Sequence, residues 1–281
     1  MRIRKNGLAA KLLASAFRVA WLAAPAHWGD VFIAEESRVR QRMLKLYARF
    51  EVQLLAFFYW LLGRDFMSNP WVRKFFYYAL AKFMAERAIV SQVMTLGEME
   101  EFIRELPDDG RIAVGPCRCR LATGACDHPL ETDIVILTGA PIWLELFPRD
   151  YRVIDKEEAL RIVRESNEKG LVQMLDRHMY FRGSANYFVI CNCCACSCLP
   201  IIGYRVFKQD GYHYIPSRYR STVDPERCQG CGTCVEVCAF RERSLVEGRA
   251  RVADCQGCGL CVRFCPHRAN TMVPRREACP L

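Results

Sequence analysis

Cysteine is the residue type that offers this chain most of its chemistry, since 17 of the 281 residues are cysteines. Nearly all lie in four groups, at residues 117–126, 191–198, 228–238 and 255–265, and only Cys279 lies apart. Ligands of one metal centre lie close together in sequence, whereas disulfides join distant segments of secreted proteins. The grouping therefore predicts metal centres in a protein of a reducing compartment, the cytoplasm.

Two of the groups share one spacing, C-x2-C-x2-C-x3-C, and Pro266 follows the second. Their cysteines are Cys228, Cys231, Cys234 and Cys238, then Cys255, Cys258, Cys261 and Cys265. This spacing is typical of thiolates that hold [4Fe–4S] clusters. Glycines within each motif let the backbone turn tightly, so that its N–H groups point at the sulfurs. A zinc ribbon, which uses pairs of C-x-x-C, is the weaker alternative.

The strings CQGCGTC (228–234) and CQGCGLC (255–261) are nearly the same, and residues 223–270 resemble the two-cluster bacterial-type ferredoxins. The resemblance implies that the fourth cysteine of each motif reaches the other cluster. One [4Fe–4S] cluster would take Cys228, Cys231, Cys234 and Cys265, and the other would take Cys255, Cys258, Cys261 and Cys238. Ala239 departs from the proline expected after the first motif, which should alter local packing only. Residues 245–252 are predicted to form a hairpin between the motifs, with Glu-Gly at its turn.

The other two groups are less standard. The first reads PCRCR…ACDH (116–128) and the second CNCCACSC (191–198). Residues 110–270 resemble a poorly characterised group of multi-cysteine iron–sulfur proteins of anaerobic metabolism. In that group, PC-x-CR…ACD and CNCC-x-C elements precede a two-cluster ferredoxin domain. The resemblance implies redox work without defining a reaction.

The central cysteines predict at least one further metal centre. The candidate ligands are Cys117, Cys119, Cys126, Cys191, Cys193, Cys194, Cys196 and Cys198. An additional iron–sulfur cluster is favoured over a zinc site and over a thiol–disulfide relay. The adjacent Cys193 and Cys194 favour a noncubane cluster, because both cannot face one compact centre without a strained turn. Arg118 and Arg120 would favour thiolates electrostatically. His128 is either a metal ligand or proton shuttle, or an ordinary loop histidine, which is the default.

The elements that must position these cysteines predict an α+β protein of three regions. Residues 1–105 lack cysteine and have a helical pattern, with one helix from 37 to 63 and another after Pro70. Residues 106–215 are predicted to be an α/β cysteine-rich domain whose cysteine loops both follow strands and meet at one sheet edge. Its elements include strands at 111–115 and 186–191, and a helix that Asp155 caps. The run at 132–138 is either a strand or a short helix. Residues 216–281 are predicted to be the two-cluster ferredoxin domain.

The net charge of +9 favours acidic partners. An acidic redox protein or a membrane-bound complex is expected, and nucleic acid is disfavoured. Within residues 1–90, aromatic residues are interleaved with Lys and Arg, and core packing of these helices is favoured. Contact with a membrane surface and a docking face for a partner subunit are the alternatives. A basic amphipathic helix near residues 8–24 is favoured over a cleaved signal peptide. The longest uncharged run, at 52–63, is too short to cross a bilayer. The predicted location is cytoplasmic, with peripheral binding to the inner face of the membrane as an option.

The sequence therefore predicts an electron-transfer protein with two [4Fe–4S] clusters and a further cysteine-ligated centre, which relays electrons to or from a redox partner. The alternative is an oxidoreductase in which the central site reduces a small substrate with electrons from the ferredoxin clusters. An electron carrier or redox subunit is favoured over a self-standing enzyme, because no catalytic constellation is evident. A third possibility is that zinc at the central cysteines braces the fold.

Overall fold

The structure is a computed structural model that describes residues 38–82, 89–178 and 187–275. The predicted amphipathic helix at 8–24 and the isolated Cys279 lie outside the described residues. Helix α1 spans Arg38–Leu62 and, after a 3₁₀ turn at Asp65–Ser68, helix α2 spans Pro70–Phe76 and continues as a π-helical turn at Tyr77–Ala81. Asn69 caps α2 by accepting a hydrogen bond from the Trp71 N–H at 2.9 Å. The two helices predicted for this region are thereby confirmed.

A six-stranded sheet forms the centre of the molecule, and its strand order is β1-β5-β6-β3-β2-β4 with every neighbouring pair antiparallel. The strands are β1 (Ile89–Met94), β2 (Ile112–Pro116), β3 (Glu131–Leu137), β4 (Arg152–Val153), β5 (Val172–His178) and β6 (Tyr187–Cys193). The run at 132–138 is thus a strand.

Strand β1 corrects the prediction that residues 1–105 are helical throughout. Its sequence, IVSQVM, contains three β-branched residues, and it pairs with β5 along its whole length. Tertiary pairing of this kind is a long-range effect that a local helical pattern does not reveal. The central sheet therefore begins before the predicted boundary at residue 106.

Five helices connect or cover these strands: α3 (Leu96–Glu105), α4 (Arg118–Thr123), α5 (Gly139–Leu146), α6 (Lys156–Glu168) and α7 (Leu199–Phe207). The Asp155 carboxylate accepts a hydrogen bond from the Glu158 N–H at 2.7 Å, so the predicted cap of α6 is confirmed. One apolar core joins α3 and α6 to one face of the sheet. A second core joins α1 and α5 to the opposite face, and the sheet lies between the two helical layers.

The C-terminal region repeats a small pattern twice, since each cysteine loop leads into a one-turn helix, α8 (Thr233–Glu236) or α9 (Leu260–Arg263). Strands β7 (Tyr219–Val223) and β10 (Asn270–Pro274) pair with each other. Strands β8 (Arg243–Val246) and β9 (Arg249–Val252) form the predicted hairpin, and Glu247 and Gly248 at its turn have φ values of 51° and 69°. Helices and antiparallel sheets together confirm the α+β fold class.

The C-terminal region packs closely on the central one. Tyr204 of α7 contacts Phe240 with ring centroids 5.6 Å apart, and its hydroxyl donates to Glu242 at 3.0 Å. On the other side, the buried Glu98 of α3 accepts hydrogen bonds from the Ser217 hydroxyl at 2.7 Å and the Arg218 N–H at 3.1 Å. Over the described ranges, no helix is both long and apolar enough to cross a membrane.

Candidate metal centres

The first C-terminal cavity, which we call cavity A, is lined by four cysteines: Cys228, Cys231, Cys234 and Cys265. Three come from the first motif and the last comes from the second. Backbone N–H groups point at the sulfurs, since Ala250 N lies 3.4 Å from Cys228 Sγ and Ala269 N lies 3.3 Å from Cys265 Sγ. Such donors favour a negatively charged thiolate–iron unit.

The second C-terminal cavity, cavity B, is lined by the complementary set: Cys238, Cys255, Cys258 and Cys261. It has the same kind of donors, because Glu242 N and Ser221 N each lie 3.4 Å from a sulfur, that of Cys238 and Cys255 respectively. The buried Arg243 donates to Ser221 Oγ at 2.6 Å on the wall of this cavity. The structure therefore brings together the two ligand sets that the ferredoxin resemblance implies. Their ligation of clusters stays a prediction, and the thiol donors and N–H groups fit it.

Two glycines leave room for these loops to close. A Cβ atom on Gly230 would lie 2.1 Å from the Gly248 carbonyl oxygen, and one on Gly257 would lie 2.2 Å from that of Tyr219. Both glycines also have positive φ values, 67° and 83°. Glycine is required at both positions, because any other residue would clash with backbone as well as strain its own conformation.

The central cavity, cavity C, gathers six of the eight central cysteines. They are Cys117, Cys119, Cys191, Cys193, Cys194 and Cys198. The fold explains the convergence, because β2 ends where the first cysteine loop begins, β6 ends at Cys193, and α7 begins after Cys198. Cys191 and Cys193 lie two residues apart on β6, so their side chains are on the same face of the sheet. The prediction that both loops meet at one edge of a sheet is confirmed for these six residues.

Cavity C also holds three acidic side chains that the sequence did not single out: Glu51, Asp133 and Asp176. Burial raises the pKa of Asp133 to about 7 and that of Asp176 to about 6. The Tyr151 hydroxyl donates to Asp133 Oδ2 at 2.7 Å. The available signal for Asp133 was an acidic residue at the start of the apolar run DIVIL, whereas Asp176 lies among polar residues in VQMLDRH and gave no such signal.

The two arginines of the first cysteine loop have different surroundings. Arg118 Nε donates to Glu51 Oε2 at 3.0 Å, and the Arg118 guanidinium lies 4.5 Å from the centre of the Phe147 ring. The positive charge of Arg118 is therefore paired with the Glu51 carboxylate of α1 and not with a thiolate. Arg120 is buried and donates to the carbonyl oxygens of Pro129 and Asn192. Burial alone would raise the pKa of the Cys194 thiol, but hydrogen bonds from Cys196 and Arg120 lower it, which supports the predicted effect on thiolates for Arg120.

The remaining two cysteines, Cys126 and Cys196, do not line cavity C. They lie next to each other and to His128. One ligand atom from each of these three residues lies within 4.8 Å of the others. Cys194 adjoins both groups, because it lines cavity C and its Sγ lies 3.7 Å from Cys126 Sγ. The eight central cysteines are therefore not arranged around a single point.

Comparison with known proteins bears on the C-terminal region. The family model described as a 4Fe-4S binding domain matches residues 221–242, which contain all four cysteines of the first motif. No curated protein matches the chain. No solved structure matches it either. The chain therefore carries a ferredoxin-type 4Fe–4S binding domain, and the resemblance drawn from the sequence is confirmed to that extent.

Proposed function

We propose that this protein is an iron–sulfur electron-transfer protein with two [4Fe–4S] clusters in residues 216–281 and a further cysteine-ligated iron–sulfur centre in residues 106–215. The observation that carries the proposal is the convergence of thiols around cavities A, B and C. Bound clusters would supply one-electron transfer. The protein holds the thiols, excludes water and sets the local charge.

Burial in cavity C supports a metal centre over a thiol–disulfide relay. Burial raises the pKa of Cys117 and Cys198, and a neutral thiol is a poor nucleophile. Metal binding displaces the proton instead and compensates for the burial of the thiolate. A cubane takes four cysteines, so the larger thiol set of cavity C, which exceeds four even without Cys194, supports a noncubane cluster.

A packed connection between cavities C and B supports electron relay between them. One continuous apolar cluster contains Cys193 and Cys198 of cavity C together with Cys238 and Cys258 of cavity B. The same cluster contains aromatic rings of α7 and of the chain beyond it, including Tyr204 and Phe240. Cavity B is therefore the ferredoxin site that we assign as the neighbour of the central centre, and cavity A as the outer one.

Arg205 joins the two cysteine loops directly. Its Nε donates to the Ala239 carbonyl at 2.7 Å, next to Cys238, and its Nη1 donates to the Ala195 carbonyl at 2.8 Å, inside the CNCCACSC stretch. A guanidinium in this position fixes the spacing of the loops and places positive charge between two thiolate-rich sites. This side chain was not a sequence-based candidate, because its contact beside Cys238 joins residues 34 positions apart.

A second candidate function is reduction of a small substrate in cavity C. The observation that favours it is the set of buried acidic groups beside the thiols, because electron relay alone needs no such groups. Asp133 and its partner Tyr151 would then hold or deliver a proton near the reacting centre. A reductant-dependent turnover that is lost in Asp133→Asn, with unchanged iron content, would favour this candidate.

We also infer that the protein docks on an anionic membrane surface through the exposed aromatic face of α1 and α2. Trp71 and Phe75 of α2 are 82% and 67% exposed. Basic groups flank the rings, since the Arg64 guanidinium lies 4.3 Å from the Trp60 ring centre. Aromatic rings bounded by cations suit the lipid headgroup region. A redox partner would then be a membrane-bound complex or an acidic carrier protein.

The electron-transfer proposal is tested by EPR spectra of the dithionite-reduced, anaerobically purified chain. We expect two [4Fe–4S] signals that persist in Cys117→Ser and Cys191→Ser and a third signal that disappears in both. The matched control is Cys231→Ser in cavity A, which should alter one [4Fe–4S] signal and leave the third intact. If the Cys117 and Cys191 variants retain every wild-type signal, cavity C holds no redox centre.

A further inference from the structure

The half-buried residues Cys126, His128 and Cys196 lie at the surface side of cavity C, on two loops. Cys126 and His128 belong to the segment 124–130 between α4 and β3, and Cys196 belongs to the turn between β6 and α7. We propose that these three residues, with Cys194 as the fourth ligand, bind a single zinc ion. The site is separate from the iron–sulfur centre proposed for cavity C, and it does not depend on that proposal.

The distances fit one ion rather than a cluster. Zn–S bonds of about 2.3 Å in a tetrahedron place two thiolates about 3.8 Å apart. Cys126 Sγ and Cys194 Sγ lie 3.7 Å apart, and the ligand atoms of Cys126, His128 and Cys196 lie within 4.8 Å of one another. The thiolates that ligate an iron–sulfur cubane bind different iron atoms of the cluster. Their sulfur atoms therefore lie further apart than those of Cys126 and Cys194.

The donor types select zinc among common ions. Three thiolates and one imidazole are a ligand set of structural zinc sites, and they exclude magnesium and calcium, which prefer oxygen.

Neighbouring groups orient the thiols. Ser197 N donates to Cys194 Sγ at 3.3 Å, and Ser197 Oγ lies 3.2 Å from Cys126 Sγ. Ser197 is fully buried between the two sulfurs. Such outer contacts hold metal ligands in one geometry. Three surface residues that lay close together by chance would lack such a buried group in contact with their thiols.

A zinc ion here would tie together two loops that frame cavity C. The 124–130 segment follows the helix that carries Cys119, and the 195–197 turn separates Cys194 from Cys198. Linking them would fix the edge of cavity C without a role in electron transfer, because zinc has no redox chemistry. The eight central cysteines would then serve two sites of different kind.

The test is zinc K-edge X-ray absorption, together with zinc and iron analysis, on the full-length chain purified without oxygen. We expect about one zinc per chain, with three sulfur neighbours at a Zn–S distance of about 2.3 Å and one nitrogen neighbour at a Zn–N distance of about 2.0 Å. In Cys126→Ser, Cys196→Ser and His128→Ala, zinc should fall at least about tenfold while iron per chain stays unchanged. His213→Ala is the matched control, because His213 is an exposed histidine elsewhere, and its zinc should equal that of the wild type.

Three outcomes would overturn the proposal. The first is wild-type protein with little zinc, the second is zinc bound by four sulfurs without nitrogen, and the third is loss of iron together with zinc in the Cys126 variant. The absorption spectrum of the wild type needs no variant, so misfolding of a variant does not affect the first two. Loss of iron in Cys117→Ser with normal zinc would support two separate sites. Normal iron in Cys117→Ser would contradict the proposed function and leave the zinc assignment standing.

Discussion

Single residues decide whether the ferredoxin loops can close. Gly257 and Gly259 lie two residues apart, and their φ values are almost the same, 83° and 82°. Their surroundings differ, since a Cβ on Gly257 would lie 2.2 Å from the Tyr219 carbonyl oxygen, whereas nothing lies within 4 Å of a Cβ on Gly259. A comparison of substitutions at Gly257 and Gly259 therefore distinguishes the free-energy cost of a left-handed backbone from that of a clash with a neighbouring backbone atom.

Replacement of these glycines by alanine should have unequal effects. Gly259→Ala should cost about 1–2 kcal/mol, which is the cost of a left-handed conformation for a residue with a Cβ. Gly257→Ala should displace the loop and lose the cluster of cavity B, because β7 cannot move away from its partner β10 without breaking their pairing. Iron content and denaturant unfolding under anaerobic conditions measure the two effects. Equal losses of iron in both variants would contradict the role of the Tyr219 contact.

Much of the residue-scale account could be predicted from the sequence, because ferredoxin ligands are local in the chain. The spacing of Cys228 to Cys238 and of Cys255 to Cys265 identified the thiols, and the ferredoxin resemblance implied the two sets that the structure brings together. The division of the central cysteines could not be predicted. It depends on how the turn after β6 directs Cys194 and Cys196, and spacing within an eight-residue string does not specify those directions.

At the scale of elements, helix α3 anchors the segment that leads into the C-terminal domain. Glu98 completes a capping box with Thr95, and the same carboxylate accepts from Ser217 Oγ at 2.7 Å and Arg218 Nε at 3.0 Å. The local signal for the cap was present in TLGE, yet this stretch was assigned to a general helical region. The link to Ser217 was hidden, since the two residues are 119 positions apart.

Loss of this carboxylate should loosen the connection. Glu98→Ala removes half of the capping box and leaves buried donors unpaired, so we expect the free energy of unfolding to fall by about 2–4 kcal/mol. The control is Glu101→Ala on the same helix, whose ion pair with Arg218 is exposed and should contribute less than about 1 kcal/mol. Urea unfolding followed by circular dichroism measures both. Similar losses in the two variants would show that Glu98 does not join the regions.

The sheet shows a similar limit of sequence analysis. Strands β2 and β6 were predicted from apolar runs next to cysteine loops, and the structure has them within one or two residues of the expected bounds. The run at 132–138, for which a strand and a short helix were both open, forms β3. Strand β1 was missed because only its pairing with β5 makes it a strand. Antiparallel order and the contribution of Glu51 from α1 to cavity C are equally long-range.

At the scale of the whole molecule, helix α1 is part of both cavity C and the proposed docking face. Helix α1 lines cavity C with Glu51 and Leu55 on its buried side and exposes Trp60 and other rings on its outer side. The same helix therefore supports the central site and presents a surface for membrane contact. The charge of +9 makes contact with anionic lipid favourable at long range.

Membrane contact should depend on the exposed rings of α2. The double variant Trp71→Ala/Phe75→Ala should bind vesicles rich in anionic lipid at least about tenfold more weakly than the wild type, because it loses two apolar side chains that enter the headgroup region. Val153→Ala is the control, since Val153 is an exposed apolar residue on β4. Vesicle cosedimentation measures the affinity. Unchanged binding of the double variant would exclude this face as the contact.

Iron and acid-labile sulfide per chain test the central claim most directly, in full-length protein purified without oxygen and corrected for apoprotein. Two [4Fe–4S] clusters alone give about eight irons, and a further cluster in cavity C raises the number to about twelve if it contains four irons. We predict a value clearly above eight that falls to about eight in Cys117→Ser. A wild-type value of about eight, unchanged in that variant, would contradict the central iron–sulfur centre.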